Sequence, residues 1–137
     1  YKIADNVRYI NNELYSDEPD GLSGNEDCGQ MSAWYIFSSI GFYPVNPSNG
    51  AYIFGSPLFD KVEINIPGKK KFQVIAENNN DKNIYIQSVS LNGENYKYSY
   101  ITHKQILEGG ELKFVMGPNP NKDFGKSKKY RPASIVY

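Results

Sequence analysis

The sequence contains only one cysteine, one histidine and one tryptophan in 137 residues. The single cysteine, Cys28, excludes an internal disulfide, and no run approaches the roughly 20 apolar residues of a membrane-spanning helix. Fifteen Lys and Arg residues balance fifteen Asp and Glu residues, so there is no excess charge to attract nucleic acid or an anionic membrane. We therefore expect no nucleic-acid partner and no membrane insertion.

The short signatures that mark nucleotide-binding and metalloprotease sites are also missing, namely GxGxxG, the Walker motif, HExxH and the EF-hand loop. His103 has no second His or Cys nearby to complete a metal-binding set, and Cys28 has no local His to activate it as a nucleophile. We assign neither residue a role. The basic run at residues 69–71 follows a Pro-Gly turn and is interpreted as a solvated hairpin corner.

An amphipathic helix is predicted over residues 1–15, because Ile3, Val7, Ile10 and Leu14 recur at spacings of four, three and four. The next residues, SDEPDGLSGNED, are rich in Asp, Gly, Pro and Ser. Each of these residue types favours turns, so the segment is predicted to be an acidic loop. The chain starts at Tyr1 without Met or an apolar leader, and we expect it to be a piece of a longer protein.

A second helix is predicted from the run MSAWYIFSSI, with Asp27 and Gln30 as a capping box and Gly41 at its end. A helix that is apolar on most sides is usually buried. Separated from its surroundings, this helix would expose an apolar face and seek a partner. That face contains Met31, Trp34, Ile36 and Ile40.

After residue 45 the apolar residues follow a period of two, which is typical of half-buried strands. The alternating positions are Val62, Ile64 and Ile66, then Phe72, Val74 and Ala76, and finally Leu112, Phe114 and Met116. Turns are expected at Pro67-Gly68, Asn92-Gly93 and Gly109-Gly110, and a last strand at residues 135–136. The sequence thus predicts an α+β fold, with one or two N-terminal helices followed by an antiparallel β-sheet or small β-sandwich. Residues 1–45 form the helical part and residues 46–137 the β region.

Chemistry is concentrated in GLSGNEDCGQMSAW, where a glycine-rich loop carries Glu26 and Asp27 to a helix start. A negative charge is stabilised at that end of the helix dipole. Asp27 is therefore either a helix cap or a base that acts on a substrate, and the residues alone leave both interpretations open. Trp34 and Tyr35 lie further along the helix, where rings serve either core packing or a sugar platform.

The string GLSGNEDCGQMSAWYIFSSIGFYPVNP resembles the signature near the C-terminal end of glycoside hydrolase family 92. The resemblance continues through YIFGSPLFDKVEINIPGKKKFQV and covers nearly the whole chain. It implies the last helices of an (α/α)6 barrel, with the acidic loop in the active site, followed by strands. Members of the family are calcium-dependent, exo-acting α-mannosidases that invert the anomeric configuration, most often at α-1,2 linkages.

By this resemblance the loop lines a mannose pocket, and Asp27 is the candidate for the general base. Glu26 is the candidate for a second carboxylate, because Asn25 replaces an acidic residue that some members carry. Asn25, Gln30 and Trp34 are candidate substrate-binding residues.

The resemblance further implies calcium as cofactor, a mannose-containing glycan as substrate, and the upstream part of the same enzyme as partner. The general acid and the calcium ligands would lie upstream, so we expect this chain to be inactive alone. It also implies export to the periplasm or cell surface, typically in Bacteroidetes. The alternative function is a noncatalytic β-sandwich module that binds carbohydrate or packs against the catalytic domain.

Overall fold

The computed structural model describes residues 1–133. Two helices come first, and strands interrupted by one short helix follow. The helices are α1 (Lys2–Glu13), α2 (Gln30–Ile40) and α3 (His103–Glu108), and the strands are β1 (Phe42–Asn46), β2 (Ala51–Phe54), β3 (Lys61–Ile66), β4 (Lys70–Glu77), β5 (Tyr85–Leu91), β6 (Glu94–Asn95), β7 (Tyr100–Thr102) and β8 (Gly110–Gly117). The predicted α+β class is confirmed.

The strands form two sheets that share one hydrophobic core. The smaller sheet has the order β1-β2-β7, and the larger sheet has the order β3-β4-β8-β5-β6. Phe72, Leu112 and Phe114 of the larger sheet are completely buried, and Phe42 and Ile101 of the smaller sheet pack in the same cluster. Burial of these side chains is the main stabilising contribution to the β region.

The three strands predicted from alternation are present as β3, β4 and β8. The Pro67-Gly68 turn joins β3 to its antiparallel neighbour β4. At the β5–β6 hairpin, Asn92 has φ 53° and Gly93 has φ 82°. Two successive left-handed residues define the hairpin turn that Asn-Gly sequences favour, so this prediction is confirmed as well.

One strand pair departs from the expected antiparallel arrangement, because β4 and β8 run parallel. The chain reaches β8 through α3, a helix that the sequence analysis missed. Thr102 caps α3: its hydroxyl oxygen accepts from the Gln105 N–H at 3.3 Å, while the Thr102 N–H donates to Gln105 Oε1 at 2.9 Å. Gly109 ends this helix with φ 81° and does not form the predicted hairpin turn between strands.

Helix α1 buries a different face from the one its apolar stripe predicts. The buried residues are Ala4, Arg8 and Asn11. Ile3, on the stripe, is 51% exposed. A helix buries the side against which other elements pack. Within residues 1–133, those elements pack against the side of α1 that carries Arg8 and Asn11.

Arg8 links α1 to the β region. Its Nε donates to the Ser56 hydroxyl at 2.9 Å, and its Nη2 donates to the Pro57 carbonyl and to Asn79 Oδ1. Burial of the guanidinium lowers the pKa of Arg8, and the charge of Asp81 opposes this shift. A buried cation held by neutral oxygens joins the helix to two loops far away in sequence.

The predicted boundary between residues 45 and 46 falls inside β1, which pairs with β2. As a domain boundary it stays a prediction. The predicted strand at residues 135–136 lies outside the described residues. Within residues 1–133, no helix has both the length and the apolar character needed to cross a membrane.

Candidate functional site

The acidic loop, residues 16–29, is closed on itself near its start. Tyr15 and Leu22 form an isolated antiparallel bridge, and the Ser16 N–H donates to the Gly21 carbonyl at 2.9 Å. Gly21 has no room for a side chain, since a Cβ there would collide with the Ser16 carbonyl and lie 2.9 Å from that of Glu18. The predicted loop is confirmed, and its shape depends on this glycine.

Glu26 supports the start of α2, a role that the sequence analysis gave to Asp27. Oε1 of Glu26 accepts from the Ser32 backbone N–H at 3.0 Å, and Oε2 accepts from the Ser32 hydroxyl at 3.0 Å. The predicted capping box of Asp27 and Gln30 is wrong, because the residue preceding the helix is Gly29. The turn between Asp27 and the helix moves Asp27 out of capping position.

That turn is left-handed over three successive residues. The φ angles are 49° at Asp27, 59° at Cys28 and 92° at Gly29. Left-handed angles cost free energy at residues other than glycine, and the cost is smaller for Asp than for Cys, so the strain of the turn is greatest at Cys28. The Asp27 side chain is exposed, and within residues 1–133 its carboxylate makes no hydrogen bond or salt bridge.

Aromatic rings form a cluster beneath the loop. The Tyr15 ring stacks on Trp34 at 5.7 Å between centroids and lies 4.9 Å from Tyr35, while its hydroxyl donates to the Met31 carbonyl at 3.1 Å. Burial raises the pKa of Tyr15, and the nearby Glu26 charge adds to the shift. Trp34 is half-buried, so it contributes to packing and still presents part of its surface.

Asn25 and Gln30 are exposed, and within the described residues neither side chain has a hydrogen-bond partner. Cys28 is exposed as a free thiol. The five predicted site residues therefore separate into two groups. Asn25, Asp27 and Gln30 present free polar groups, whereas Glu26 and Trp34 are held by contacts within the chain.

Sequence reasoning missed Ser32 and Tyr15. Ser32 is six residues from Glu26, beyond the spacing of any common cap, and only the left-handed turn brings the two together. Tyr15 follows the first helix and carried no distinguishing pattern. His103, to which no role was assigned, bonds through Nδ1 with the Tyr52 hydroxyl at 3.0 Å.

Among residues 1–133, no three His, Cys, Asp or Glu side chains lie close enough together to hold a metal ion. This part of the chain thus does not supply a carboxylate cluster for calcium by itself. A cavity of about 650 Å³ lies between the start of α1 and the β region, near Phe54, Ser99 and Phe124. It contains none of the predicted site residues.

The loop thus carries a free carboxylate at Asp27, and the helix that follows carries the half-buried ring of Trp34. Hydrolysis of a glycosidic bond uses carboxylates of this kind in pairs, of which the described residues assign one. Comparison with known proteins agrees with this chemistry. The model of the glycosyl hydrolase family 92 catalytic domain matches residues 1–118. The chain therefore belongs to glycosyl hydrolase family 92.

Two solved structures from Bacteroides thetaiotaomicron are similar to the chain. One is a family 92 α-mannosidase, at 41% identity and a TM-score of 0.90, and the other is a family 92 inverting mannosidase, at 40% and 0.91. Each match covers 98% of this chain and 18% of the longer one. The α-mannosidase has also been solved with mannoimidazole.

An uncharacterised secreted glycosidase of Arthroderma benhamiae is 34% identical over 124 residues, which are 88% of this chain and 16% of that protein. The chain thus spans less than a fifth of the length of these relatives. The matched region is one portion of each of these longer proteins.

Proposed function

We propose that the full-length enzyme containing this chain is an exo-acting, inverting α-mannosidase, and that Asp27 is its general base. The substrate is a mannose-containing glycan, an N-glycan or mannan, cleaved at terminal α-1,2 linkages. Family membership and the similarity to solved mannosidases support the class of reaction. The Asp27 carboxylate is exposed and has no hydrogen-bond partner within residues 1–133, which supports the assignment of the base.

The observation that carries this assignment is the difference between two adjacent carboxylates. Glu26 accepts both hydrogen bonds from Ser32 and supports the helix start. Asp27 has no such contact in the described residues, yet it adopts a left-handed conformation that costs free energy. A carboxylate that served only to cap the helix would accept hydrogen bonds from its first turn, as that of Glu26 does. The geometry therefore favours a role for the Asp27 carboxylate other than stabilising the fold.

In an inverting hydrolysis, Asp27 accepts a proton from water as the water oxygen attacks the anomeric carbon. A second carboxylic acid, about 6.5–9.5 Å away, gives a proton to the departing glycosidic oxygen. This general acid belongs to the part of the enzyme outside this chain. We therefore propose that residues 1–137 alone do not hydrolyse mannosides.

Asn25 and Gln30 have free amide groups next to Asp27 in the chain, suited to bonding sugar hydroxyls, and Trp34 offers the exposed part of its ring. Calcium, bound by ligands outside this chain, would act on sugar hydroxyls as a hard cation with oxygen ligands. We also propose that the enzyme is exported to the periplasm or cell surface, which the similarity to a secreted glycosidase supports.

The test compares the full-length enzyme with its Asp27→Asn variant on α-1,2-mannobiose in the presence of calcium, following released mannose and its anomer. We expect β-mannose first from the parent and a fall in kcat of about 10²–10⁴-fold in the variant, because a general base contributes that much. Asp20→Asn, an exposed carboxylate of the same loop, is the matched control and should leave kcat unchanged.

Unchanged turnover in Asp27→Asn would overturn the assignment of the base and favour the noncatalytic alternative for this chain. Release of α-mannose as first product would overturn inversion. Hydrolysis by residues 1–137 alone would overturn the proposed need for the upstream part.

A further inference from the structure

The contacts of Glu26 give it a role that is separate from proton transfer. Its two carboxylate oxygens accept from the backbone and the hydroxyl of a single residue, Ser32, each at 3.0 Å. The backbone N–H of Ser32 donates to one oxygen, and its hydroxyl is available to donate to the other. The pair therefore holds Glu26 in one orientation at the first turn of α2.

The segment enclosed by this pair is the left-handed turn. The Met31 N–H donates to the Glu26 carbonyl at 3.3 Å, and the Gln30 N–H donates to the Asp27 carbonyl at 3.3 Å. Both contacts are long and therefore weak. A shorter backbone bond, from the Ala33 N–H to the Gly29 carbonyl at 2.9 Å, holds only the end of the turn that joins α2. The two bonds from Ser32 to the Glu26 carboxylate are shorter than the two long contacts, and they close the turn across Asp27 and Cys28.

The turn needs such support because Asp27 and Cys28 are both left-handed without being glycine. A conformation of this kind persists only where surrounding contacts hold it. If the Glu26–Ser32 contacts were lost, the turn would relax toward right-handed or extended backbone angles. The carboxylate of Asp27 would then move relative to α2.

We propose that Glu26 and Ser32 are a positioning pair that places the Asp27 carboxylate, and that Glu26 does not transfer a proton. This inference rests on the proposed role of Asp27 as general base. A general acid must release its proton to the glycosidic oxygen, whereas the Glu26 oxygens are directed to Ser32. The pair acts on the reaction only through the geometry of its neighbour.

The test uses Ser32→Ala, Ser32→Thr and Glu26→Gln in the full-length enzyme. In Ser32→Ala the hydroxyl donor is lost, and we expect kcat to fall about 10–100-fold with KM changed less than about threefold, because small misplacements of a reacting group act on kcat. Ser32→Thr keeps the hydroxyl and should restore most of the lost kcat. Glu26→Gln should lower kcat to a similar extent.

Two further measurements separate positioning from other roles. In the double variant Glu26→Gln/Ser32→Ala, the loss should be no greater than in the worse single variant, because both changes break the same contact. The pH profile of kcat/KM should keep both of its limbs in every variant. Loss of the alkaline limb in Glu26→Gln, with Ser32→Ala fully active, would identify Glu26 as an acid and overturn the inference.

The inference and the proposed function can fail separately. If Asp27→Asn abolishes turnover while Ser32→Ala and Glu26→Gln keep the kcat of the parent, the base assignment stands and the positioning pair is wrong. If Asp27→Asn remains active, the base assignment fails and the positioning pair fails with it. An equal fall of kcat in Ser32→Ala and Ser32→Thr would reduce the role of Ser32 to packing.

Discussion

The larger sheet and the acidic loop are stabilised in opposite ways. In the sheet, β8 lies between β4 and β5, and the side chains of Leu112, Phe114 and Met116 are buried in a shared core. In the loop, no side chain between residues 22 and 30 is buried, and a few polar contacts determine its shape. The sheet should thus be sensitive to lost volume, and the loop to single contacts and to backbone conformation.

The largest expected effect concerns the core of the sheet. Phe114→Ala removes a completely buried ring that packs edge-on against Phe54, and we expect a loss of about 3–5 kcal/mol of stability. The control Phe59→Ala removes a ring that is 50% exposed and should cost less than about 1 kcal/mol. Urea denaturation of the full-length protein measures both changes, and equal losses would contradict the comparison.

A smaller effect is expected at the start of the loop. In Gly21→Ala the added methyl group collides with the Ser16 and Glu18 carbonyls, so we expect a loss of about 1–3 kcal/mol, as for other overpacked sites. Gly24→Ala is the matched control, since nothing lies within 4 Å of its Cβ position. Thermal unfolding and turnover should be measured together. A Gly24 variant as damaged as the Gly21 variant would refute the steric explanation.

The smallest effect is a gain in stability at the left-handed turn. In Cys28→Gly the steric cost of φ 59° is removed, which is about 1–2 kcal/mol. The greater freedom of glycine in the unfolded chain offsets about 0.5–1 kcal/mol of this gain. We expect a net stabilisation of about 0.5 kcal/mol by thermal denaturation.

Ala33→Gly in α2 is the control for this prediction, because glycine should destabilise the protein there instead of stabilising it. Ala33 is exposed in a right-handed helix, where glycine costs about 1 kcal/mol. If both substitutions destabilised the protein equally, Cys28 would not be under strain.

The sheet was the more predictable of the two regions. Period-two alternation located β3, β4 and β8, because one face of each strand is buried and the other is not. Asn92-Gly93 predicted its hairpin, since the required φ angles are a property of those two residues. Gly41 ends α2 with φ 113°, as its position after the apolar run predicted.

The features that were missed depend on distant parts of the chain. The parallel pairing of β4 with β8 is determined by the path through α3, which no local pattern encodes. The face that α1 buries is determined by the loops that accept Arg8. At the site, the residue types and the segment were predicted, but the division of roles between Glu26 and Asp27 required the turn geometry.

The buried Arg8 also has a consequence for protein engineering. In a chimaera whose exchanged β region lacked oxygens equivalent to those of Ser56, Pro57 and Asn79, Arg8 would be a buried charge without acceptors. Because α1 leads directly to Tyr15, which contacts the Met31 carbonyl beneath the acidic loop, the error would reach the site. A functional exchange must therefore transfer α1 together with the strands, as one cassette.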